Sequence, residues 1–385
     1  MDYKKESLKR HLRFGGKIEI KSKFPPLKNK DDLSVAYTPG VAEVSLLLAK
    51  TPSKAFDYSI KGNTIAIVSD GSAVLGLGNI GPLGALPVME GKALLFKEFG
   101  NVDAYPIVLA TQDTEEIIKT IKNIAPTFGG INLEDISAPR CFEIEERLIR
   151  ELDIPVFHDD QHGTAIVILA ALINSLKLVK KPKGKIKVVV CGAGSAGIAA
   201  TKLLIRYGVK NIILVDSKAI VSKNRTDLNS TKKQMLQITN LENIEGDLGD
   251  ALKGADVFVG VSAPNIFKPE FVKLMNEKAI IFAMANPVPE IMPDLAKKAG
   301  AFIVGTGRSD FPNQINNVLV FPGLFRGVLD NKIKKITEEL KIVVAETLAG
   351  CVKNKELSVN KILPSVLDKK VVKIIAQKIR NFKTK

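Results

Sequence analysis

Short apolar runs alternate with stretches of helical periodicity along the first half of the chain. The runs are rich in β-branched and aromatic residues and end in polar or glycine-containing loops, which is typical of buried strands. They predict strands at 63–72, 101–111, 129–136 and 153–160. Apolar residues at helical spacing predict helices at 114–128, 143–152 and 163–179. Strands that alternate with helices in this way predict an α/β protein with mostly parallel sheets.

The segment 184–216 carries the most specific pattern. An apolar strand runs directly into a glycine-rich turn, an alanine-rich helix follows, and a second strand ends at Asp216. Such glycines permit the tight turn, let a pyrophosphate approach the backbone and allow the helix to pack on the strand, while the acid can bond ribose hydroxyls. The segment therefore predicts a Rossmann-type, doubly wound dinucleotide-binding domain. The residues of the turn are Gly192, Ala193, Gly194, Ser195, Ala196 and Gly197.

A second glycine pattern, at 76–81, has the same G-x-G-x-x-G spacing. Several residues separate it from its strand, and Pro82 and Pro87 are expected to interrupt the segment that follows. It is interpreted either as a loop that lines the active site or as a structural glycine turn. Apolar runs at 254–264 and 278–291 are predicted to be later strands of the dinucleotide-binding sheet.

Composition limits the class of protein. A chain of 385 residues with 45% hydrophobic and 25% charged residues has the size and balance of a two-domain globular protein. Its three cysteines are widely spaced, which predicts reduced thiols. The first ten residues lack an apolar signal core, and the longest apolar run, at 165–173, is short for a bilayer span. We therefore expect a cytoplasmic protein with no membrane partner.

The formal net charge is +15, which raises the question of nucleic-acid binding. The basic residues are spread thinly and are densest near the end of the chain, as expected for solvated helix faces. We therefore expect no nucleic-acid partner. A positive field would also attract small anionic substrates and dinucleotides.

The sequence HDDQHG at 158–163 resembles the zinc-binding pattern H-E-x-x-H, in which two histidines share a helical face. Here the motif follows a predicted strand, so it is expected in the loop before a helix, where the two histidines would not share a face. Ligands of α/β folds collect at such strand ends. The zinc interpretation is therefore disfavoured.

Four carboxylates follow two predicted strands: Glu134 and Asp135 after one, Asp159 and Asp160 after the other. At neighbouring strand ends they would repel one another unless a cation lay between them. Ligands that are all oxygens suit Mg²⁺ or Mn²⁺. Helix caps and solvated loops are the alternative for any one of these acids. Lys92 is flanked by apolar residues and is a candidate base, although taken alone an exposed surface lysine is the more common case.

These motifs resemble those of malic enzymes, in particular the short prokaryotic type, and the resemblance covers nearly the whole chain. It rests on YTPGVA, SDGSAVLGLGNIGPLGALPVMEGKALLFKEFG, NLEDI, FHDDQHGTA, GAGSAG, ANPVPE and NQINN. The resemblance implies an N-terminal α/β domain for substrate and metal at 1–162 and an NAD-binding domain at 163–385. Helices with basic faces, predicted at 328–385, would pack across both. It also implies a homodimer.

The resemblance implies a role for individual residues. Tyr37 matches the general acid, Lys92 the general base and Asp159 an acid that supports the lysine. Asn286 and Asn317 match residues that hold the substrate carboxylates, and Asn286 is also expected near the cofactor. The histidines of HDDQHG are expected to be structural. The metal ligands would be Glu134, Asp135 and Asp160.

The implied reaction is the oxidative decarboxylation of L-malate to pyruvate and CO₂, with NAD or NADP as oxidant and Mg²⁺ or Mn²⁺ as cofactor. Asp216 favours NAD because its charge would repel a 2′-phosphate, whereas Lys218, Lys223 and Arg225 could accommodate one. Three other interpretations remain: another NAD-linked dehydrogenase without a metal, a nucleotide-binding regulator without catalysis, and a malolactic enzyme that releases lactate.

Overall fold

The structure, a computed structural model, describes residues 2–382 and contains two parallel sheets flanked by helices. The strands are β1 Thr64–Ser69, β2 Asp103–Val108, β3 Gly130–Leu133, β4 Val156–His158, β5 Lys187–Cys191, β6 Asn211–Val215, β7 Val257–Gly260, β8 Ile280–Ala283 and β9 Ile303–Thr306. The helices are α1 Tyr3–Phe14, α2 Lys30–Ala36, α3 Val41–Lys50, α4 Ala55–Tyr58, α5 Gly81–Gly100, α6 Thr114–Ile124, α7 Arg140–Glu151, α8 Thr164–Val179, α9 Ser195–Tyr207, α10 Ser230–Met235, α11 Leu248–Leu252, α12 Pro293–Lys298, α13 Phe321–Asp330, α14 Glu338–Gly350 and α15 Lys370–Arg380.

The N-terminal sheet has the order β2-β1-β3-β4, and all of its strands are parallel. β1, β3 and β4 are buried on both faces, as the continuous apolar runs of the sequence predict, whereas the edge strand β2 is mostly half-buried. Since β3 and β4 pair directly, the residues that follow them meet at one edge of the sheet.

The second sheet has the order β6-β5-β7-β8-β9 and is also parallel. The first strand of this sheet in chain order, β5, has β6 on one side and β7 on the other, so the order of the strands reverses at β5. Ligands of doubly wound folds bind at this reversal point. The predicted α/β class with a doubly wound dinucleotide-binding sheet is confirmed.

The C-terminal helices pack across both halves of the molecule, as predicted. The ring of Phe96 in α5 lies 4.6 Å from Phe321 and 5.3 Å from Phe325 of α13. Asn174 of α8 donates hydrogen bonds to the carbonyls of Ala349 and Ile362. Within the described residues the helices do not fill 328–385 as predicted, because 351–369 is irregular. Residues 383–385 lie outside the described range.

Two further predictions from the sequence were wrong. Pro82 and Pro87 do not interrupt the chain, because both lie in α5. Pro82 occupies the first turn, where no N–H partner is needed, and Pro87 removes only one backbone hydrogen bond from a helix of 20 residues. The apolar run at 165–173 was expected to be short for a bilayer span, but it lies within a longer helical segment. That segment, Asp159–Val179, is long and apolar enough for a membrane span, and 78% of its most apolar window is buried inside the protein. That burial is typical of a core helix.

The N-terminal arm, residues 2–50, packs very differently from the sheets. None of the residues in α1, α2 and α3 is buried. The arm instead exposes many large apolar side chains: Tyr3, Leu8, Leu12, Phe14, Ile18, Ile20, Phe24, Leu27, Leu33, Val35, Tyr37 and Leu46.

Candidate active site

The acids predicted from the sequence meet at the carboxyl ends of β3 and β4. Leu133 and His158 are register partners in these strands, so the two pairs of acids that follow them are neighbours. One carboxylate oxygen from each of Glu134, Asp135 and Asp160 lies within 4.8 Å of the others. These are the three residues that the resemblance to malic enzymes implies as metal ligands.

Local hydrogen bonds hold the cluster in place. The backbone N–H of Asp135 donates to Asp160 Oδ2 at 2.7 Å, which links the two strand ends. Asn132 Nδ2 donates to Glu134 Oε2 at 2.8 Å. Asp135 has a φ of 55°, a left-handed conformation that aspartate tolerates better than most residues. The chain thus turns sharply at the point where the acids gather.

Burial makes the acid cluster electrostatically unfavourable when it is fully ionised. Burial and the neighbouring charge of Asp160 raise the pKa of Glu134, although Lys92 opposes the shift. Burial likewise raises the pKa of Asp160, and it raises the pKa of Asp159 to about 6. A divalent cation would remove this repulsion, and an all-oxygen donor set is the one that Mg²⁺ and Mn²⁺ prefer. The residues present therefore fit a hard divalent cation.

Lys92 of α5 lies beside these acids and is only 8% exposed. Its Nζ donates to Asp159 Oδ2 at 2.6 Å and lies 2.8 Å from Glu134 Oε1. It also lies 4.4 Å from the centroid of the Phe321 ring. Burial alone would lower the pKa of Lys92, but Asp159, Glu134 and Asp160 together raise it. The lysine is buried and paired, so the alternative of an ordinary surface lysine is wrong.

The HDDQHG motif adopts a single π-helical turn, Asp159–Gly163, between β4 and α8. The two histidines take different environments in it. His158 is fully buried, and burial lowers its pKa to about 4, so its ring is neutral. His162 bonds Glu145 and Lys341 rather than joining the acid cluster. Acids and not histidines therefore form the candidate metal site.

The glycine-rich turn after β5 has the geometry of a phosphate cradle. A Cβ on Gly192 would lie 2.4 Å from the carbonyl oxygen of Val261, and one on Gly197 would lie 1.7 Å from the carbonyl oxygen of Gly192. Neither position therefore accepts a side chain. Open space surrounds Gly194, and α9 begins at Ser195 with its N–H groups directed at that space. Ala196 follows in its first turn.

A cavity of about 630 Å³ adjoins this turn and is lined in part by Gly192, Gly194 and Asp216. Asp216 ends the second strand of the unit, as predicted, but its carboxylate already has cationic partners. Arg225 Nη1 donates to Oδ1 at 2.8 Å and Lys232 Nζ donates to Oδ2 at 2.6 Å. Burial opposes ionisation, yet these two cations and two backbone N–H groups hold the pKa of Asp216 well below its usual range.

Asn317 and Asn286, two further predicted residues, contact different segments of the chain. A Cβ on Gly163 would lie 1.8 Å from Asp159 Oδ1 and 3.1 Å from Asn317 Cβ, so Asn317 adjoins the turn Asp159–Gly163. Asn286 precedes a cis peptide bond, and its carbonyl oxygen would lie 2.3 Å from a Cβ on Gly76. The glycine pattern at 76–81 therefore begins in a loop, and the lack of a side chain on Gly76 permits its close contact with the segment that contains Asn286.

Tyr37 differs from the other predicted residues. It lies at the end of α2 in the N-terminal arm, and its side chain is 67% exposed. Its hydroxyl has no hydrogen-bond partner within residues 2–382, whereas Lys92, Glu134 and Asp135 are buried. A single chain therefore does not enclose Tyr37 in the acid cluster.

Three residues of the site escaped the sequence analysis. Asn132, which orients Glu134, lies inside a buried strand, and a polar residue at such a position was an available signal. Lys232, a partner of Asp216, is distant in sequence and carried no motif. Phe321 touches Lys92 only because α13 returns to the N-terminal half.

Comparisons with known proteins agree with this geometry. The family model described as "Malic enzyme, N-terminal domain" matches residues 15–149, and "Malic enzyme, NAD binding domain" matches residues 161–382. The chain is 58% identical to the NAD-dependent malic enzyme of Geobacillus stearothermophilus, covering 96% of this chain and 77% of that protein. It is 53% identical to the bifunctional malic/malolactic enzyme of Bacillus subtilis, covering 98% and 92% of the two chains.

A solved structure shows the same similarity. The crystal structure of the NAD-dependent malic enzyme of Thermotoga maritima superposes with a TM-score of 0.93 at 50% sequence identity, and the match covers 97% of this chain and 98% of that one. Together with the matched domains, this shows that the chain belongs to the malic enzyme family.

Proposed function

We propose that the chain catalyses the oxidative decarboxylation of L-malate to pyruvate and CO₂ with reduction of NAD, and of NADP to a lesser extent. One observation carries the proposal: a buried lysine contacts a cluster of carboxylates suited to a divalent cation, directly beside the dinucleotide-binding helix. Helix α9, which begins at the glycine-rich turn, packs against the turn Asp159–Gly163. A substrate chelated at the acids would therefore lie next to the nicotinamide end of a cofactor.

Glu134, Asp135 and Asp160 would hold Mg²⁺ or Mn²⁺. When bound, such a cation supplies Lewis-acid polarisation of the C2 oxygen of malate. Lys92 would remove the proton of the C2 hydroxyl as hydride leaves C2, and Asp159 would keep the Nζ of Lys92 oriented. Asn286 and Asn317 would bind the substrate carboxylates.

The role of Lys92 as a base depends on the charges around it. In its present surroundings three acids favour the ammonium form, which cannot accept a proton. A cation that took Glu134 and Asp160 as ligands would cancel much of their charge. Burial would then favour the neutral amine. The proton affinity of Lys92 is thus coupled to metal occupancy.

Tyr37 would donate the proton to C3 of enolpyruvate in the last step. Because Tyr37 lies on an exposed arm with many exposed apolar side chains, we propose that the arm packs on a second copy of the chain and that Tyr37 serves the partner's site. This assigns the protein as a homodimer. It predicts that Tyr37→Phe and Lys92→Ala subunits, each inactive alone, recover activity when mixed. No recovery after confirmed subunit exchange would assign Tyr37 to its own chain's site.

We further propose that the enzyme acts in the cytoplasm on small molecules, without a nucleic-acid or membrane partner. Residues 1–162 form the substrate and metal domain, and residues 163–385 form the NAD-binding domain with its C-terminal helices.

Chelation tests the proposal against a metal-independent dehydrogenase. Activity with L-malate and NAD should disappear in EDTA and return when excess Mn²⁺ is added. Full activity in EDTA, after dialysis against the chelator, would refute the metal-dependent mechanism.

A further inference from the structure

Glu145 of α7 is a buried carboxylate that lies behind the metal loop, defined here as residues 158–163. It is 5% exposed. Its Oε1 accepts a hydrogen bond from the backbone N–H of His158 at 3.0 Å. Its Oε2 accepts from Gln161 Nε2 at 3.1 Å and from His162 Nε2 at 2.9 Å. All three donors belong to the metal loop, and they lie on either side of Asp159 and Asp160.

A second helix fixes the same loop through His162. Lys341 Nζ of α14 lies 2.9 Å from His162 Nδ1 and donates to Glu338 Oε1 at 2.6 Å. An ammonium group has only donors, so Nδ1 must accept. The proton of the neutral ring then resides on Nε2, where it is donated to Glu145. Lys341 is 5% exposed, so water competes little for these bonds.

The charge on Glu145 is maintained despite its burial. Burial alone would raise the pKa of Glu145, but the hydrogen bond from His162 and the positive charge of Lys341 help to lower it to about 2. Its acceptor capacity is therefore present throughout the neutral and mildly acidic range. A buried carboxylate with its donors in place is rigid, because loss of any partner would leave a polar group unsatisfied.

The metal loop needs such support because its own backbone is irregular. It forms one π-helical turn, a rare conformation that often occurs at functional sites. Strand pairing fixes its start at His158, and the buried helix α8 fixes its end. Between these points the backbone N–H of Asp135 holds the Asp160 carboxylate, and Glu145 holds the loop that carries it.

We propose that Glu145 is a positioning residue for the metal centre: it holds the loop so that Asp160 is directed at Glu134 and Asp135, and Lys341 supports it through His162. The inference rests on the proposed metal-dependent reaction. Glu145 bonds the loop that carries Asp160 through His158, Gln161 and His162, so its effect is expected on metal affinity.

Direct Mn²⁺ binding, followed by electron paramagnetic resonance of the free ion, tests the inference without relying on activity. Glu145→Gln should weaken Mn²⁺ binding about 10- to 100-fold, the usual effect of losing an outer contact of a metal site. The Michaelis constant for Mn²⁺ should rise in parallel, while kcat at saturating Mn²⁺ recovers to near the wild-type value and NAD binding is unchanged. Glu143→Gln, on the same helix but exposed, is the matched control and should bind Mn²⁺ as the wild type does.

Lys341→Met provides a second variant that leaves the carboxylate in place. It frees His162 to change tautomer and should weaken Mn²⁺ binding about two- to tenfold. This variant carries the test if Glu145→Gln does not fold. Wild-type Mn²⁺ affinity in the folded variants, or a loss of thermal stability and kcat without a change in metal affinity, would overturn the inference. Failure of the wild type itself to bind Mn²⁺ would instead refute the proposed metal-dependent function.

Discussion

Replacing Asp216 by serine is predicted to shift the cofactor preference of the enzyme toward NADP. In the native protein the carboxylate neutralises Arg225 and Lys232 and is expected to bond the ribose hydroxyls of NAD. Serine removes the negative charge and is too short to reach the ammonium of Lys232. Both cations are then free to bind a 2′-phosphate.

The contacts of Asp216 set the magnitude. A hydrogen bond to a charged group contributes about 1.5–3 kcal/mol, so losing the ribose contact should lower NAD affinity about 10- to 100-fold. The freed Arg225 and Lys232 should raise kcat/KM for NADP. We expect the ratio of the two kcat/KM values to change about 100-fold or more in favour of NADP.

Initial rates with L-malate, saturating Mn²⁺ and varied NAD or NADP measure this ratio. Asp256→Ser is the matched control, because Asp256 also pairs with a lysine, Lys181, at 2.6 Å. Asp256 directly precedes β7, at the opposite end of the sheet from the cavity, so its loss should leave the ratio unchanged. An unchanged ratio in Asp216→Ser, or a strong NADP preference in the wild type, would refute the role given to Asp216.

Three further predictions concern the metal and the two proton-transfer residues. Asp160→Ala should remain folded, as circular dichroism would show, but lose activity at limiting Mn²⁺ because a hard cation needs several charged oxygens; full activity there would contradict the ligand assignment. Because the pKa values of Glu134 and Asp159 are raised, these acids take up protons as the pH falls below about 7. Mn²⁺ binding should therefore release protons and become weaker toward pH 5.5. Calorimetry in buffers of different ionisation enthalpy measures both effects. Tyr37→Phe should slow turnover of malate about 10²- to 10⁴-fold yet still reduce added oxaloacetate with NADH, whereas Lys92→Ala should impair both reactions.

Each of these predictions has an outcome that would contradict it. Mn²⁺ affinity that is independent of pH between 5.5 and 7.5 would show that the acids are already ionised without metal. Equal loss of oxaloacetate reduction in Tyr37→Phe and Lys92→Ala would reject the division of work between the two residues.

The acids of the site could be predicted from the sequence because parallel strands bring their carboxyl ends to one edge. Glu134 and Asp160 are 26 positions apart by number, yet each lies just beyond the end of an apolar run, so their meeting required only that the two strands be neighbours. The glycine-rich turn was predictable for a similar reason, because its spacing answers a local steric demand.

Contacts between distant segments could not be predicted in this way. Nothing in the pattern around Lys341 indicates that α14 approaches His162, because that contact depends on how the C-terminal helices return across both halves. Pro87 shows a different limit: tertiary packing of α5 outweighs the helix-breaking preference of one residue. The short strand β9 was missed because four residues show no clear period.

The central claim, metal-dependent oxidative decarboxylation of malate, is tested most directly by the stoichiometry of a single reaction. Purified enzyme would be incubated with L-malate, NAD and Mn²⁺, and the NADH and pyruvate formed would be measured in the same sample. The account predicts equal amounts of NADH and pyruvate, and neither product when EDTA replaces Mn²⁺. Lactate without net NADH would show a malolactic reaction, and NADH with oxaloacetate but no pyruvate would show a simple dehydrogenase; either result would contradict the account.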